Sequence, residues 1–166
     1  MKAKEKNIGL ISASVVVYRN DYDEIKRAVL SFFKGKLGGL LYLIDNSPND
    51  RLKILEQLND SVVYIFNGRN IGYGAGHNIA IKESIGKGYA YHVVLNPDVF
   101  FDENVLPILC EYMEKNMDVG NALPKVISSD GEEQGLAKLL PTPFDLLLRR
   151  FIPIKALKEW RNKTYE

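Results

Sequence analysis

The sequence predicts an α/β fold with a mostly parallel central sheet and helices on both faces. Runs rich in β-branched residues alternate with segments of helical apolar spacing, in the order β-α-β-α-β-α-β-α between Ile8 and Met113. The strand-like runs are almost continuously apolar rather than alternating, which is the mark of strands covered on both sides. A chain of 166 residues with 46% apolar and 26% charged side chains has the make-up of one globular domain.

The first strand centres on Ser14 to Tyr18 and extends back through Ile8, Leu10 and Ile11. Asp21 or Asp23 can cap the helix that follows, whose apolar positions Ile25, Ala28, Val29, Phe32 and Phe33 share one side. Gly35, Gly38 and Gly39 end it. The second strand, Leu40 to Ile44, stops in the turn-forming run Asp45 to Asp50. Leu52 to Leu58 reads as a short helix and Val62 to Phe66 as the third strand. A glycine-rich loop, Asn67 to Gly76, leads to a helix over Asn78 to Ile85. The fourth strand, Tyr91 to Leu95, is closed by Asn96-Pro97-Asp98, because proline cannot continue a central ladder. Asp102 then caps a helix with Val105, Leu106, Leu109, Cys110 and Met113 inward. Beyond Asn116 the pattern weakens to a short strand, Ala122 to Ile127, and a turn at Ser129-Asp130-Gly131.

Several classes of function are excluded by composition. A formal net charge of +1 gives no global attraction to nucleic acid. The single cysteine, Cys110, excludes a disulfide framework and a multi-cysteine zinc site, and its place on an apolar helix stripe makes it a core residue. No apolar run approaches the roughly 20 residues of a membrane span, and Met1 to Asn7 is too charged for a secretory signal. A cytoplasmic domain is the expectation.

In a parallel sheet, ligands bind beyond the carboxyl ends of the strands. Three of those ends carry polar turn clusters here: Asp45-Asn46, Asn67 to Gly76, and Asn96-Pro97-Asp98. Alternate glycines at 72, 74 and 76 let a backbone approach a ligand, and a helix start offers it free N–H groups. The spacing is G-x-G-x-G after the third strand, which disfavours a dinucleotide fingerprint and a nicotinamide-dependent oxidoreductase. Asp98, aimed out of the sheet by Pro97, is placed to hold Mg²⁺ or Mn²⁺ against a diphosphate, since hard cations take oxygen ligands. His77 sits at a helix start without partners for a metal, His92 reads as a strand residue, and Tyr89 and Tyr91 read as core or rim.

Taken together, these residues resemble the family 2 glycosyltransferases of GT-A fold, and among them the branch similar to bacterial rhamnosyltransferases. The likeness runs from about Ser14 to about Arg150. It rests on Val15-Val16-Val17-Tyr18-Arg19-Asn20, Ile44-Asp45-Asn46-Ser47, Asn70-Ile71-Gly72-Tyr73-Gly74-Ala75-Gly76-His77-Asn78, and Leu95-Asn96-Pro97-Asp98-Val99. The resemblance implies a transferase that takes a sugar from a dTDP- or UDP-sugar to a polysaccharide or lipid-linked acceptor, with inversion. Tyr18 and Asn20 would lie beside the nucleotide, and Asp45 would accept an N–H of the base. Asn70, Gly72 and Asn78 would line the base, ribose and phosphate side. Asp98 matches the metal-binding acid of the family's Asp-x-Asp motif. Asn96 stands where that motif has its first acid, which lowers the local negative charge and weakens the hold on Mg²⁺ or Mn²⁺.

Relatives in this branch continue into a half that supplies the base for the acceptor hydroxyl. No equivalent stands out, since Glu132-Glu133 comes too early and no acid pair follows Phe144. The catalytic base is therefore unassigned. The expected organisation is a nucleotide-sugar domain over 1–143 and a basic amphipathic segment over 144–166. The alternative is a nucleotide-sugar-binding module without its own base. In the second segment Leu146, Leu147, Leu148, Phe151, Ile152 and Ile154 interleave with Arg149, Arg150 and Lys155, a composition suited to peripheral contact with the inner membrane surface through 144–163.

Overall fold

The computed structural model describes residues 11–35, 37, 39–128 and 130–134. The chain divides into two units, Met1–Val119 and Gly120–Glu166. The segment 144–166 lies outside the described residues.

In the first unit, strands β1 (Ile11–Val17), β2 (Leu41–Asp45), β3 (Val62–Phe66) and β4 (Tyr91–Leu95) form one sheet in the order β3-β2-β1-β4. All three pairings are parallel, with Val17 level with Asp45, Asp45 with Phe66, and Val15 with Leu95. The expected parallel α/β sheet is therefore present, and its four carboxyl ends share one edge.

Helix α1 (Tyr22–Lys34) begins at Asp21, whose carboxylate accepts the N–H of Asp23. The short helix expected after the second strand is a 3₁₀ helix, Arg51–Leu58. Helix α2 spans Tyr73–Gly86 and helix α3 spans Val105–Lys115. The side-chain period of two along each strand sorts the core into two layers. Ile11, Ala13, Val15 and Val17 of β1 pack with Leu41, Leu43, Ile25, Val29, Phe32, Leu55, Leu106 and Cys110, so α1, the 3₁₀ helix and α3 cover one face. Val16, Tyr42 and Ile44 pack with Ala80 on the other, under α2. Cys110 is buried, as its stripe predicted.

The structure corrects three boundaries. Asp102 does not cap α3. Asn104 stands at its N-cap without a side-chain bond, and the Asp102 carbonyl accepts the Val105 N–H. The strand expected over 122–127 is only β5 (Val126–Ile127). It pairs antiparallel with β6 (Glu133–Gln134) in the second unit, around a turn with Gly131 at φ +86°.

The third correction concerns the glycines. Helix α2 starts at Tyr73 rather than Asn78, so Gly74 and Gly76 are helical rather than part of an open loop. They differ in kind. A Cβ at position 76 would stand 2.8 and 3.0 Å from the Val16 methyls, whereas one at 74 would meet nothing within 4 Å. Gly76 is thus the contact that lets α2 lie close on β1. Gly76→Ala is expected to destabilise the fold by about 1–3 kcal/mol through overpacking. Gly74→Ala should stabilise it by about 0.5 kcal/mol through helix propensity. Denaturant unfolding of the two variants reads both signs.

Candidate functional site

The chain runs outward from β1 to β2 and β3, then crosses back to the far side of β1 to form β4. Strand order reverses there, and in open α/β sheets the crevice beyond the carboxyl ends at such a reversal is where ligands bind. The segments that leave this edge are Tyr18-Asn20, Asp45-Ser47, Asn67-Tyr73 and Asn96-Asp98.

After β1 the backbone turns sharply. The Asn20 Oδ1 accepts the Tyr18 N–H at 2.9 Å, and the Asn20 Nδ2 donates to Glu24 Oε2 at 3.1 Å. Between them Arg19 has φ +60°, a left-handed conformation costly for a side chain of this size. Its N–H donates to Ser47 Oγ at 2.9 Å, and the Arg51 guanidinium donates to the carbonyls of Arg19 and Asn20. Tyr18 is left exposed, with the Arg19 guanidinium 5.2 Å from its ring centroid.

At the end of β2, Asp45, Asn46 and Ser47 are all buried. Asp45 Oδ1 accepts the Ser47 N–H at 2.8 Å, and Asp45 Oδ2 accepts the Tyr64 hydroxyl at 2.6 Å. Burial and the bond to Asp45 push the Tyr64 phenol well above its ordinary range, so it remains a donor. A carboxylate has about four lone-pair positions, of which these bonds use two, and the Asp45 side chain is fully buried. Asn46 holds the Asn67-Tyr73 segment at both ends: its Nδ2 donates to the Gly72 carbonyl at 3.3 Å, and its Oδ1 accepts from Asn67 Nδ2 at 2.8 Å.

Asn70 is exposed, and its Oδ1 accepts the Gly72 N–H at 2.9 Å. Gly72, at φ +93°, is the N-cap of α2, a conformation that favours glycine. The Tyr73 hydroxyl then reaches across to Asn96 Oδ1 at 2.6 Å, joining the start of α2 to the end of β4. Burial and then the Asp98 carboxylate push the Tyr73 phenol upward. Asn96 and Asp98 are exposed.

Of the residues the sequence singled out, Tyr18, Asn20, Asp45, Asn70, Gly72, Asn96 and Asp98 thus share the carboxyl edge. Asn78 is exposed farther along α2, about 7.5 Å down the axis from Tyr73. Sequence reasoning missed Asn46, Ser47, Arg51 and Tyr64 as the residues that hold this edge. Asn46 and Ser47 lay inside the turn cluster it recognised, whereas nothing local marks Arg51 or Tyr64.

Asp98 can hold a divalent cation in one way. Among the described residues no group of three or more His, Cys, Asp or Glu side chains can hold a metal by itself. Mg²⁺ commonly takes one or two carboxylates, substrate phosphates and waters, so Asp98 suffices only as a partner to a bound diphosphate.

A parallel sheet with a polar crevice at its strand-order reversal is the general ligand-binding arrangement of open α/β domains. The chain belongs to glycosyl transferase family 2, whose family model matches residues 13–161. No curated protein matches it. Among solved structures, S. aureus TarS 1-349 is similar at 15% identity and a TM-score of 0.55, over 70% of this chain and 38% of that one. S. aureus TarS 1-349 in complex with UDP is similar at 15% identity and a TM-score of 0.55, over 74% and 43%. S. aureus TarS is similar at 14% identity and a TM-score of 0.54, over 71% and 24%. The fold is GT-A-like, and this chain spans less than half the length of each of these structures.

Proposed function

We propose that this domain binds the nucleotide-sugar donor of an inverting glycosyltransferase of the rhamnosyltransferase-like branch, with a dTDP- or UDP-sugar as donor. The observation that carries the reading is the placement of two carboxylates on either side of β1 at the carboxyl edge. Asp45 ends β2 and Asp98 follows β4, which at ordinary strand spacing separates them laterally by about 10 Å. A nucleotide lying across β1 then presents its diphosphate to Asp98 and its base to the side of Asp45, a carboxylate that is fully buried and has to be uncovered for the contact. Tyr18 and Asn20 border it, with Asn70, Gly72 and Asn78 on the α2 side. The family match and the UDP complex of TarS 1-349 support this assignment.

Thermal shift of the chain against UDP, dTDP, CDP and NAD tests it. Stabilisation by UDP or dTDP is expected, and stabilisation by NAD alone sinks the reading. A transfer assay with lipid-linked or saccharide acceptors then separates catalysis from the alternative, a nucleotide-sugar-binding module without its own base.

Asp98 is assigned to the Mg²⁺ or Mn²⁺ that bridges the diphosphate. Because Asp98 is exposed, Asp98→Asn should change stability by no more than about 0.5 kcal/mol. It should also abolish most of the gain in UDP or dTDP affinity that the metal confers in titration calorimetry. An undiminished metal effect in the variant would assign the carboxylate another job.

Residues 144–163 are proposed to contact an anionic membrane surface peripherally, near lipid-linked acceptors. The support is compositional, with each basic residue near anionic lipid worth about 1 kcal/mol. Among the described residues no helix is long and apolar enough to cross a membrane. The full chain should pellet with anionic liposomes in a salt-sensitive manner, and a chain ending at Pro143 should not. Equal pelleting of the two rejects the membrane contact.

A further inference from the structure

Helix α2 carries much of the proposed donor site at its start, yet that start is intrinsically weak. Its N-cap is Gly72 with no side-chain bond to the first turn, no acidic residue occupies that turn, and Gly74 and Gly76 follow. Something else must place it.

The α2 side of β1 supplies the answer. Ser14 lies wholly buried at a position where a central parallel strand ordinarily carries an apolar residue. Its Oγ is 2.7 Å from His77 Nδ1 on α2 and 2.7 Å from His92 Nε2 on β4. His92 Nδ1 is in turn 2.8 Å from Ser12 Oγ and 3.0 Å from Ser84 Oγ, and Ser84 donates to the Ala80 carbonyl. The ring of Tyr73 meets His77 edge-to-face at 4.3 Å between centroids, and the Tyr73 hydroxyl bonds Asn96 four residues beyond His92. A closed circuit therefore runs from β4 through Ser14 to His77, on to Tyr73, and back to β4.

We propose that the Ser14–His77–His92 network is a positioning device for the donor site, holding Gly72 and Tyr73 in place over the strand ends. The proposal rests on the nucleotide-binding reading of the crevice. Apolar packing fixes how close α2 lies to the sheet, but hydrogen bonds also fix its rotation and its slide along the strands. The network is a poor device for stability alone. His77 is 3% exposed, and its Nε2 has no hydrogen-bond partner, a buried orphan that an apolar side chain would remove.

That contrast supplies the test, made on the full chain. In His77→Leu the midpoint of thermal unfolding should stay within about 3 °C of wild type or rise. Amide hydrogen exchange at residues 72–77 should accelerate at least about tenfold while β1 and β2 are unchanged, and UDP affinity should fall about tenfold. His77→Asn, which restores a polar partner for Ser14, should recover a substantial part of both losses. Unchanged exchange at 72–77 in His77→Leu overturns the proposal, as does a loss of stability that spreads evenly over the sheet. Should His77→Leu fail to fold, Ser14→Ala is measured in the same way, and the same two results overturn the proposal. A wild-type chain that binds neither UDP nor dTDP refutes the nucleotide reading instead, and the exchange measurement still decides whether the network places α2.

Discussion

Replacing Asp45 by alanine is expected to weaken the protein twice over. The fold should lose about 3 kcal/mol, because the Ser47 N–H and the Tyr64 hydroxyl lose the carboxylate that satisfies them in a buried place. For a domain of this size that lowers Tm by roughly 10 °C. Independently, the affinity for UDP or dTDP should fall at least about tenfold, since the proposed contact to the base N–H is gone. Asp45→Asn separates the two effects. It keeps one acceptor for the local donors, so the stability loss is smaller, but it no longer favours a base that presents N–H over one that presents a bare nitrogen. The ratio of UDP to CDP affinity should therefore fall toward one in Asp45→Asn. Tyr64→Phe provides the control, losing stability while keeping the UDP preference. An Asp45→Asn protein with the wild-type ratio would leave Asp45 as a structural acceptor only.

Acid is the second large lever. Burial and then the neighbouring His77 hold the His92 imidazole down at about 4, and burial lowers His77. Around the pair stand Ser12 and Ser14 from β1 and Tyr73 and Ser84 from α2, all uncharged partners. Glu83 of α2 and Tyr89 act electrostatically on Tyr42 of β2, which packs on the same face of the sheet. Because the folded value is below the ordinary 6.5, the unfolded chain takes up protons that the folded one refuses. For His92 this contribution to stability is complete above about 6.5 and is lost as pH falls toward about 4, at up to about 1.4 kcal/mol per pH unit. Across that window His92 alone accounts for about 2–3 kcal/mol, roughly 5–10 °C in Tm. His92→Gln should flatten the Tm profile between pH 6.5 and about 4 by that amount. Carboxylates that titrate in the same range are common to both proteins and drop out of the comparison. Superimposable profiles would show that His92 does not govern the acid response.

Much of the polar carboxyl edge was legible because its signals are local. Asp45-Asn46 and Asn96-Pro97-Asp98 stop their strands by turn chemistry, and a strand that stops at a parallel sheet's carboxyl end necessarily delivers those side chains to the crevice. The glycine run misled for an equally physical reason. Spacing shows that glycine is required, but not whether a ligand or a neighbouring side chain requires it. At Gly76 the neighbour is Val16, brought there by sheet packing. Serines 12 and 14 were submerged in a β-branched run, and His77 and His92 drew no functional reading because their partners on β1 lie 63 to 80 residues away.

The sequence by itself determined the parallel α/β class, the order of its elements, and the identity of the polar residues at each strand end. Periodicity, turn propensity and proline's missing N–H act within a few residues and are written in the chain. Only the tertiary structure decided that β1 lies between β2 and β4. That arrangement makes β1 the reversal point, sets Asp45 and Asp98 on either side of it, and encloses Ser14 between two histidines. Those relations arise from strand pairing and helix packing between distant segments, whose free energy depends on which surfaces meet rather than on any local pattern.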